Sequence, residues 1–204
     1  HSRIAFLAIT HRHADHAGGA PFLRRHFRPA RVFVNGPGGG EDATSRVLSR
    51  GDEWMSGGVR FRVLAPSPAW VLESRDENAR SLVIEVTFCE QRLLLMGDAG
   101  RRVEALLDPS PPDFAAVKVG HHGAVDASSE EFIRRTRARL AVISVGDRNR
   151  FGHPAARVVT AWSAAGARVL RTDRDHTAHV VVSPGGTKAE VFPGLAPTSR
   201  PDER

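Results

Sequence analysis

The sequence predicts an α/β fold, and three observations carry that expectation. Short apolar runs of strand length alternate with amphipathic stretches of helical length along most of the 204 residues. Several runs are followed by histidine or aspartate, three of them after a glycine: Thr10-His11, Gly97-Asp98, Gly120-His121 and Gly152-His153. No apolar stretch approaches the roughly 18 residues that a membrane span requires.

In chain order, Ile4–Thr10 reads as a buried strand and Ala17–Phe27 as a short helix with Phe22, Leu23 and Phe27 on one side. Arg31–Val34 is a second strand, and Pro37-Gly38-Gly39-Gly40 is a loop. Ala43–Ser49 is expected to form a helical turn, Gly51–Gly58 a turn, Val59–Leu64 a strand and Pro66–Pro68 a corner. The clearest hairpin pairs Ser81–Phe88, which alternates Leu82, Ile84, Val86 and Phe88 with Val83, Glu85 and Thr87, against Gln91–Met96. Arg101–Leu107 is a helix stopped by Asp108-Pro109 and Pro111-Pro112, and Phe114–Val119 a strand. Ser128–Arg137 is a helix with Ser128 and Glu131 spaced as a capping box. Leu140–Val145 is a strand, and Pro154–Ala165 a helix with proline first and Gly166 after its end. Arg168–Arg171 and Ala178–Val182 complete the strands, and the polar stretch 194–204 reads as a disordered tail behind one domain spanning 1–193.

Composition narrows the chemistry. Cys89 is the only cysteine, which excludes disulfides and cysteine-based zinc sites, so a metal must be held by the ten histidines together with Asp and Glu. The net charge is +6, with 27 arginines against two lysines. Most of these arginines read as basic surface positions, since no dense run appears, but the field suits an anionic substrate. The chain begins His1-Ser2-Arg3 without a recognisable signal peptide.

The first strand ends in Thr10-His11-Arg12-His13-Ala14-Asp15-His16-Ala17-Gly18-Gly19. Four ligand-type residues in six positions is improbable for a merely solvated loop. His11 and His13, two apart on extended backbone, point the same way and can share one metal; Asp15 and His16, past the bend, reach a second. Asp98, the pair His121-His122, and His153 each follow a strand end, where ligands collect in open α/β sheets. Taken singly, Asp98 or His153 reads equally well as a helix cap. Taken together with the first cluster, they point to one shared site.

These motifs resemble the metallo-β-lactamase superfamily. Their order and flanks are similar to the nuclease-like domain of ComEC-type DNA-uptake proteins, on Ser81–Glu85, Leu95–Ala99, Lys118–Gly123, Ile143–Gly146 and Arg171–Asp173 as well. The resemblance implies an αββα sandwich, here without its first N-terminal strands, so that the half holding Ile4–Leu64 has fewer strands than the half holding Ser81–Val182. It implies two divalent metals, zinc or manganese: His11 and His13 on one, Asp15 and His16 on the other, Asp98 between them, and one of His121 and His122, with the lean to His122, completing the second site. His153 falls at a family position near the metals, where it contacts substrate or donates a proton, and Asp15 and His153 are the catalytic candidates. Histidine-rich relatives carry a further histidine where this chain reads Ser74–Arg80, and Asp76 and Asn78 are the available substitutes.

The implied function is a two-metal phosphodiesterase or nuclease acting on single-stranded DNA. It would work beside the membrane channel domain of a parent protein, on the extracellular or periplasmic face of the membrane. The rival readings are an ester hydrolase of the same superfamily, lactonase-like or phosphorylcholine-esterase-like, and a non-catalytic basic DNA-binding module.

Overall fold

In the computed structural model, which describes residues 3–36 and 45–192, the alternation of the sequence resolves into two β layers flanked by helices. The elements run β1 (Leu7–Ala8), α1 (Ala14–Ala17), α2 (Ala20–Phe27), β2 (Val32–Val34), β3 (Ser45–Val47), β4 (Glu53–Ser56), β5 (Val59–Ala65) and α3 (Pro68–Glu73). A 3₁₀ turn at Asn78–Arg80 leads to β6 (Val83–Phe88), β7 (Gln91–Leu95), α4 (Arg101–Glu104) and β8 (Ala116–Lys118). A tight turn at Gly120–Gly123 precedes α5 (Glu130–Thr136), β9 (Leu140–Ile143), α6 (Ala156–Ala164), β10 (Arg168–Arg171), α7 (Thr172–Asp175), β11 (Thr177–Ser183) and β12 (Gly186–Phe192). No helix of the described residues is long and apolar enough to cross a membrane. The expected glycine loop at Pro37–Gly40 and the expected tail at 194–204 lie outside the described residues.

The large sheet has the order β10-β9-β8-β7-β6-β5-β4, parallel from β10 to β7 and antiparallel from β7 to β4. The predicted hairpin is present in register, Ile84 opposite Leu95 and Phe88 opposite Gln91. Its two-residue loop places Cys89 and Glu90 at positive φ, as the right-handed twist of the flanking strands requires.

Alternation along the strands sorts the core into layers. Val83, Leu94, Val117, Ala141 and Ile143 point to one side, onto Val103, Phe132, Ile133, Val158 and Trp162 of α4, α5 and α6. On the other side, Val63 and Ile84 meet Phe33 and Leu48 of the small parallel sheet β1-β2-β3. Phe6, Phe33, Trp54 and Phe61 fill that seam, Trp54 stacked on Phe61 with centroids 4.9 Å apart. Further along the same side, Ala116, Leu140 and Leu170 are covered by Ala178, Val180 and Ala189 of the β11–β12 hairpin. Val32 and Val34 turn outward under Ala17 and Ala20. The order of layers is therefore helix, sheet, sheet, helix. Among the described residues the small sheet has three strands and the large sheet seven, because Glu53–Ala65 crosses over to extend the large one.

Four local expectations are corrected. Within Ala43–Ser49, residues 45–47 are strand β3, paired in parallel with β2, and not a helical turn. Gly51–Gly58 contains strand β4, whose Trp54 packs inward while Met55 is exposed. The helix expected from Ser128 starts later: Ser129 is the N-cap, accepting from Phe132 N at 3.3 Å, and Glu131 pairs with Arg134 instead of closing a box. Ser128 and Ser129 both donate backbone N–H groups to the buried Glu104 carboxylate, at 2.6 and 2.8 Å. Burial still holds that carboxyl above its ordinary pKa. The last long helix begins at Ala156 with Ala155 as N-cap, so Pro154 precedes it and does not open it.

Glu85 sits on β6, 2% exposed, with Arg92 at 2.6 Å and Arg62 at 3.2 Å. Burial alone raises its pKa, but hydrogen bonding and attraction from the two guanidiniums outweigh that and lower it. The folded pKa lies below the unfolded one, so the pair stabilises above the ordinary glutamate range and that contribution fades as pH falls through the folded value. Glu85→Gln is expected to lose about 3–5 kcal/mol in urea unfolding at neutral pH, the scale of a broken buried pair. The deficit is expected to shrink in acid, and one that stays constant with pH would show that packing, not charge, is at stake.

Candidate metal centre

The site forms where the two sheets meet at their strand ends. Leu82 N donates to Thr10 O at 2.9 Å, tying the end of the small-sheet segment to the start of β6. His11 follows directly and is fully buried. Its Nδ1 lies 3.1 Å from Thr10 Oγ1 and 3.3 Å from Ser81 Oγ, which orients the ring and leaves Nε2 facing inward. That Nε2 is 3.2 Å from His13 Nδ1 and 3.6 Å from Asp98 Oδ2. The chain then turns into α1, whose single turn lifts Asp15 and His16 over the same point.

Asp98 enters from the end of β7. Gly97 has φ +55°, and a Cβ there would lie 2.9 Å from Ser81 Cβ, so only glycine fits. Ser81 Oγ accepts from Asp98 N at 3.0 Å, so this one hydroxyl contacts both His11 and Asp98. Asp98 is 3% exposed, with His16 Nε2 at 3.1 Å from Oδ1 and His122 Nε2 at 3.5 Å from Oδ2. Burial works to raise the Asp98 pKa, but the His122 and His16 imidazoles prevail and hold it well below the carboxylate range. Lys118 Nζ approaches to 3.9 Å and donates to Gly97 O at 2.9 Å; burial pushes its own pKa down.

The turn after β8 needs Gly120, whose Cβ would meet Ala99 O at 2.2 Å; the close approach lays the two site loops on each other. His121 and His122 both adopt left-handed backbone conformations, which turns their side chains in different directions. His122 Nδ1 donates to Ser144 O at 2.7 Å. A carbonyl only accepts, so Nδ1 carries the proton and the neutral ring presents a bare Nε2. That bare nitrogen stands 3.3 Å from Asp15 Oδ2, 3.5 Å from Asp98 Oδ2 and 3.2 Å from His16 Nε2. Lone pairs aimed at carboxylate oxygens are repulsive unless a cation lies between them. The Asp98 carboxylate accordingly raises the His122 pKa.

Asp98 Oδ1 is also buried without an aligned hydrogen-bond donor. An orphaned carboxylate oxygen among inward-facing imidazole nitrogens fits a divalent metal. Two ligand groups are geometrically available: His11, His13 and Asp98 in one, Asp15, His16, Asp98 and His122 in the other, with the ligand atoms of each group within 4.8 Å of one another. Asp98 belongs to both.

Of the predicted residues, His11, His13, Asp15, His16, Asp98 and His122 are brought together, and His121 is not. Its Nδ1 lies 3.1 Å from Asp126 Oδ1, which fixes the proton there, and its Nε2 lies 3.2 Å from Asn78 Nδ2. His153 stands beside it, ring centroids 5.7 Å apart. Burial, then the imidazoles of His121 and His122, lowers the His153 pKa. Neither helix-cap reading survives, since α4 is capped by Gly100 and α6 by Ala155. Of the two substitutes for the absent histidine, Asn78 lines the cleft with a buried, unpartnered Oδ1, whereas Asp76 is exposed and accepts from Asn78 N. Sequence reasoning assigned no role to Thr10, Ser81, Lys118, Asp126 or Ser144. Only Ser81 carried a usable sign, its position opening the strand that pairs with the Gly97-Asp98 strand.

A cleft of about 760 Å³ opens over the cluster, lined by His13, Asp15, Asp98, His122, Phe151 and His153 among others.

No family model matches the chain. It is 30% identical over 186 residues to ComE operon protein 3 of Bacillus subtilis, covering 84% of this chain and 24% of that protein. It is 29% identical over 191 residues to competence protein ComA of Neisseria gonorrhoeae, covering 92% of this chain and 27% of that protein. Recombination protein 2 of Haemophilus influenzae is 27% identical over 148 residues, covering 72% and 18%. The chain is thus a distant homologue of the ComEC-type competence proteins and spans about a quarter or less of the length of these relatives. Its fold is that of the metallo-β-lactamases. The metallo-β-lactamase fold protein YhfI of Bacillus subtilis superposes with a TM-score of 0.51 at 8% identity, over 82% of this chain and 73% of that one. CmlA, a diiron β-hydroxylase from Streptomyces venezuelae, superposes with a TM-score of 0.60 at 14% identity, over 94% and 46%.

Proposed function

We propose that the chain is a two-metal phosphodiesterase that cuts single-stranded DNA during DNA uptake, as one part of a longer competence protein. The observation that carries this reading is Asp98, a buried carboxylate shared by two groups of inward-facing ligand atoms. We assign His11, His13 and Asp98 to one zinc or manganese ion, and Asp15, His16, Asp98 and His122 to the other. Held there, such a pair would supply an activated water and charge neutralisation at the phosphoryl group.

The protein's own groups do the rest. Ser81 and Thr10 lock the His11 ring, and the Ser144 carbonyl keeps the His122 proton on Nδ1. Asp15, 63% exposed by side chain, is the carboxylate free to orient the attacking water. His153, across the cleft and outside the ligand groups, faces the place where a leaving oxygen departs and is assigned to contact or protonate it. The surplus of arginine favours a polyanion, and the homology to competence proteins narrows the polyanion to DNA.

Mass spectrometry of the gently purified chain, paired with hydrolysis of single-stranded DNA and of a chromogenic phosphodiester, tests the proposal. About two metal equivalents and metal-dependent DNA cutting are expected. Cutting of the chromogenic ester alone would favour an ester hydrolase, and DNA binding without any metal would favour a basic binding module.

A further inference from the structure

The loop between β9 and α6 holds an exposed aromatic ring that packing does not explain. Phe151 is 67% exposed, yet it lines the same cleft as Asp15, Asp98 and His122. It is the only phenylalanine or tryptophan among the described residues lining that cleft, and the chain contains no tyrosine. Its ring lies nearly parallel to His153, 18° between planes and 5.8 Å between centroids, and the Arg150 guanidinium stands 5.0 Å from its centroid. Arg148, with 93% of its side chain in solvent, projects from the same loop, beside Asp147 at 3.6 Å.

The loop holds this ring in place. Asn149 Nδ2 donates to Gly146 O at 3.1 Å and to His153 O at 2.7 Å, and Asn149 Oδ1 accepts from His153 N at 3.0 Å. One amide thus clamps both ends of the turn that presents Phe151, and the ring is pre-positioned before any ligand arrives.

We infer that Phe151 is a stacking platform for the base of a nucleotide adjoining the scissile phosphate, with Arg148 and Arg150 holding the neighbouring phosphates. This rests on the phosphodiesterase reading of the metal centre and assigns the residue by which an unpaired strand is held there. A base in a duplex is already stacked on its neighbours and is not free to leave them for Phe151, whereas every unpaired base offers an open π face. The same geometry disfavours a choline ester. A quaternary ammonium is held by a cage of several aromatic faces, and among the described residues Phe151 is the one phenylalanine or tryptophan lining this cleft.

The experiment compares a deoxythymidine decamer with a decamer of the same backbone in which every base is replaced by tetrahydrofuran. Binding is read by fluorescence anisotropy in EDTA, and cutting is read with zinc or manganese. The 204-residue chain is expected to prefer the base-bearing strand by about tenfold to a hundredfold, the range of one base–aromatic stack. Phe151→Ala is expected to collapse that ratio towards one, and Phe151→Trp to keep it. An unchanged ratio in Phe151→Ala, or a ratio kept by Phe151→Leu as well as by Phe151→Trp, overturns the platform. The two readings fail separately: a base-dependent ratio in binding with no strand cut would end the nuclease proposal and leave the platform standing. Cutting that ignores the bases would do the reverse.

Discussion

Asp98→Ala is expected to retain neither metal and to hydrolyse phosphodiesters no faster than background, as read by metal content and single-turnover cutting of labelled DNA. The expectation follows from connectivity. Every other ligand candidate belongs to one of the two groups, and Asp98 alone belongs to both. Its loss also removes the only buried carboxylate among four imidazoles, leaving the exposed Asp15 as the carboxylate beside His16 and His122. A cation drawn into that setting would meet neutral donors and little compensating charge. Asp98→Asn separates the two contributions, because the amide keeps the shape and the backbone bond to Ser81 but not the charge. It is expected to behave like Asp98→Ala. Metal retained at two equivalents in either variant would sink the shared-carboxylate assignment.

The parts of the fold that were legible in the sequence are those in which one physical rule acted alone. The β6–β7 hairpin alternates because Leu82, Ile84 and Val86 meet the small-sheet layer, while on the other face Glu85 is held by Arg62 and Arg92. That His11, Asp98 and His122 converge was legible because each lies just past the end of a strand, where loops of neighbouring strands meet. Elements were missed where two rules competed. Ser67-Pro68 is a good helix start, and Ser67 does accept from Trp70 N, but two prolines so close together read as a corner and α3 was overlooked. β4 is four residues long between glycines, too short for a period of two to show against turn-forming neighbours. β12 carries Thr187, Lys188 and Glu190 on a hairpin with one wet face, so its polar residues masked the strand.

The site shows the same division. That His121 and His122 would diverge was beyond the sequence, since it depends on two consecutive left-handed backbone conformations set by the approach of Gly120 to Ala99. The partners that fix the imidazole protons, Ser144 for His122 and Asp126 for His121, are brought in by neighbouring loops and carry no motif of their own. Loss of the expected third histidine is likewise interpretable only in space. Asn78 stands at that side of the cleft and occupies His121, so a ring that sequence alone could place on the metal is engaged elsewhere.

His153→Ala is expected to keep its full metal complement and to lower kcat by roughly 10²–10⁴, the usual contribution of a positioned acid or donor. The separation of the two readouts follows from the structure. His153 is in neither ligand group, its ring contacts His121 and Phe151, and its backbone is pinned by Asn149 independently of the side chain. Truncation at Cβ should therefore leave the loop in place, and α6 loses no cap because Ala155 and not His153 occupies that position. A leaving oxygen of lower basicity needs less protonation, so the deficit should narrow on an aryl phosphodiester relative to DNA if the ring donates a proton. It should stay the same on both substrates if His153 only holds the phosphate. Full activity in His153→Ala would remove the residue from the chemistry, and lost metal would make it a ligand that reaches the cluster once the ions are bound.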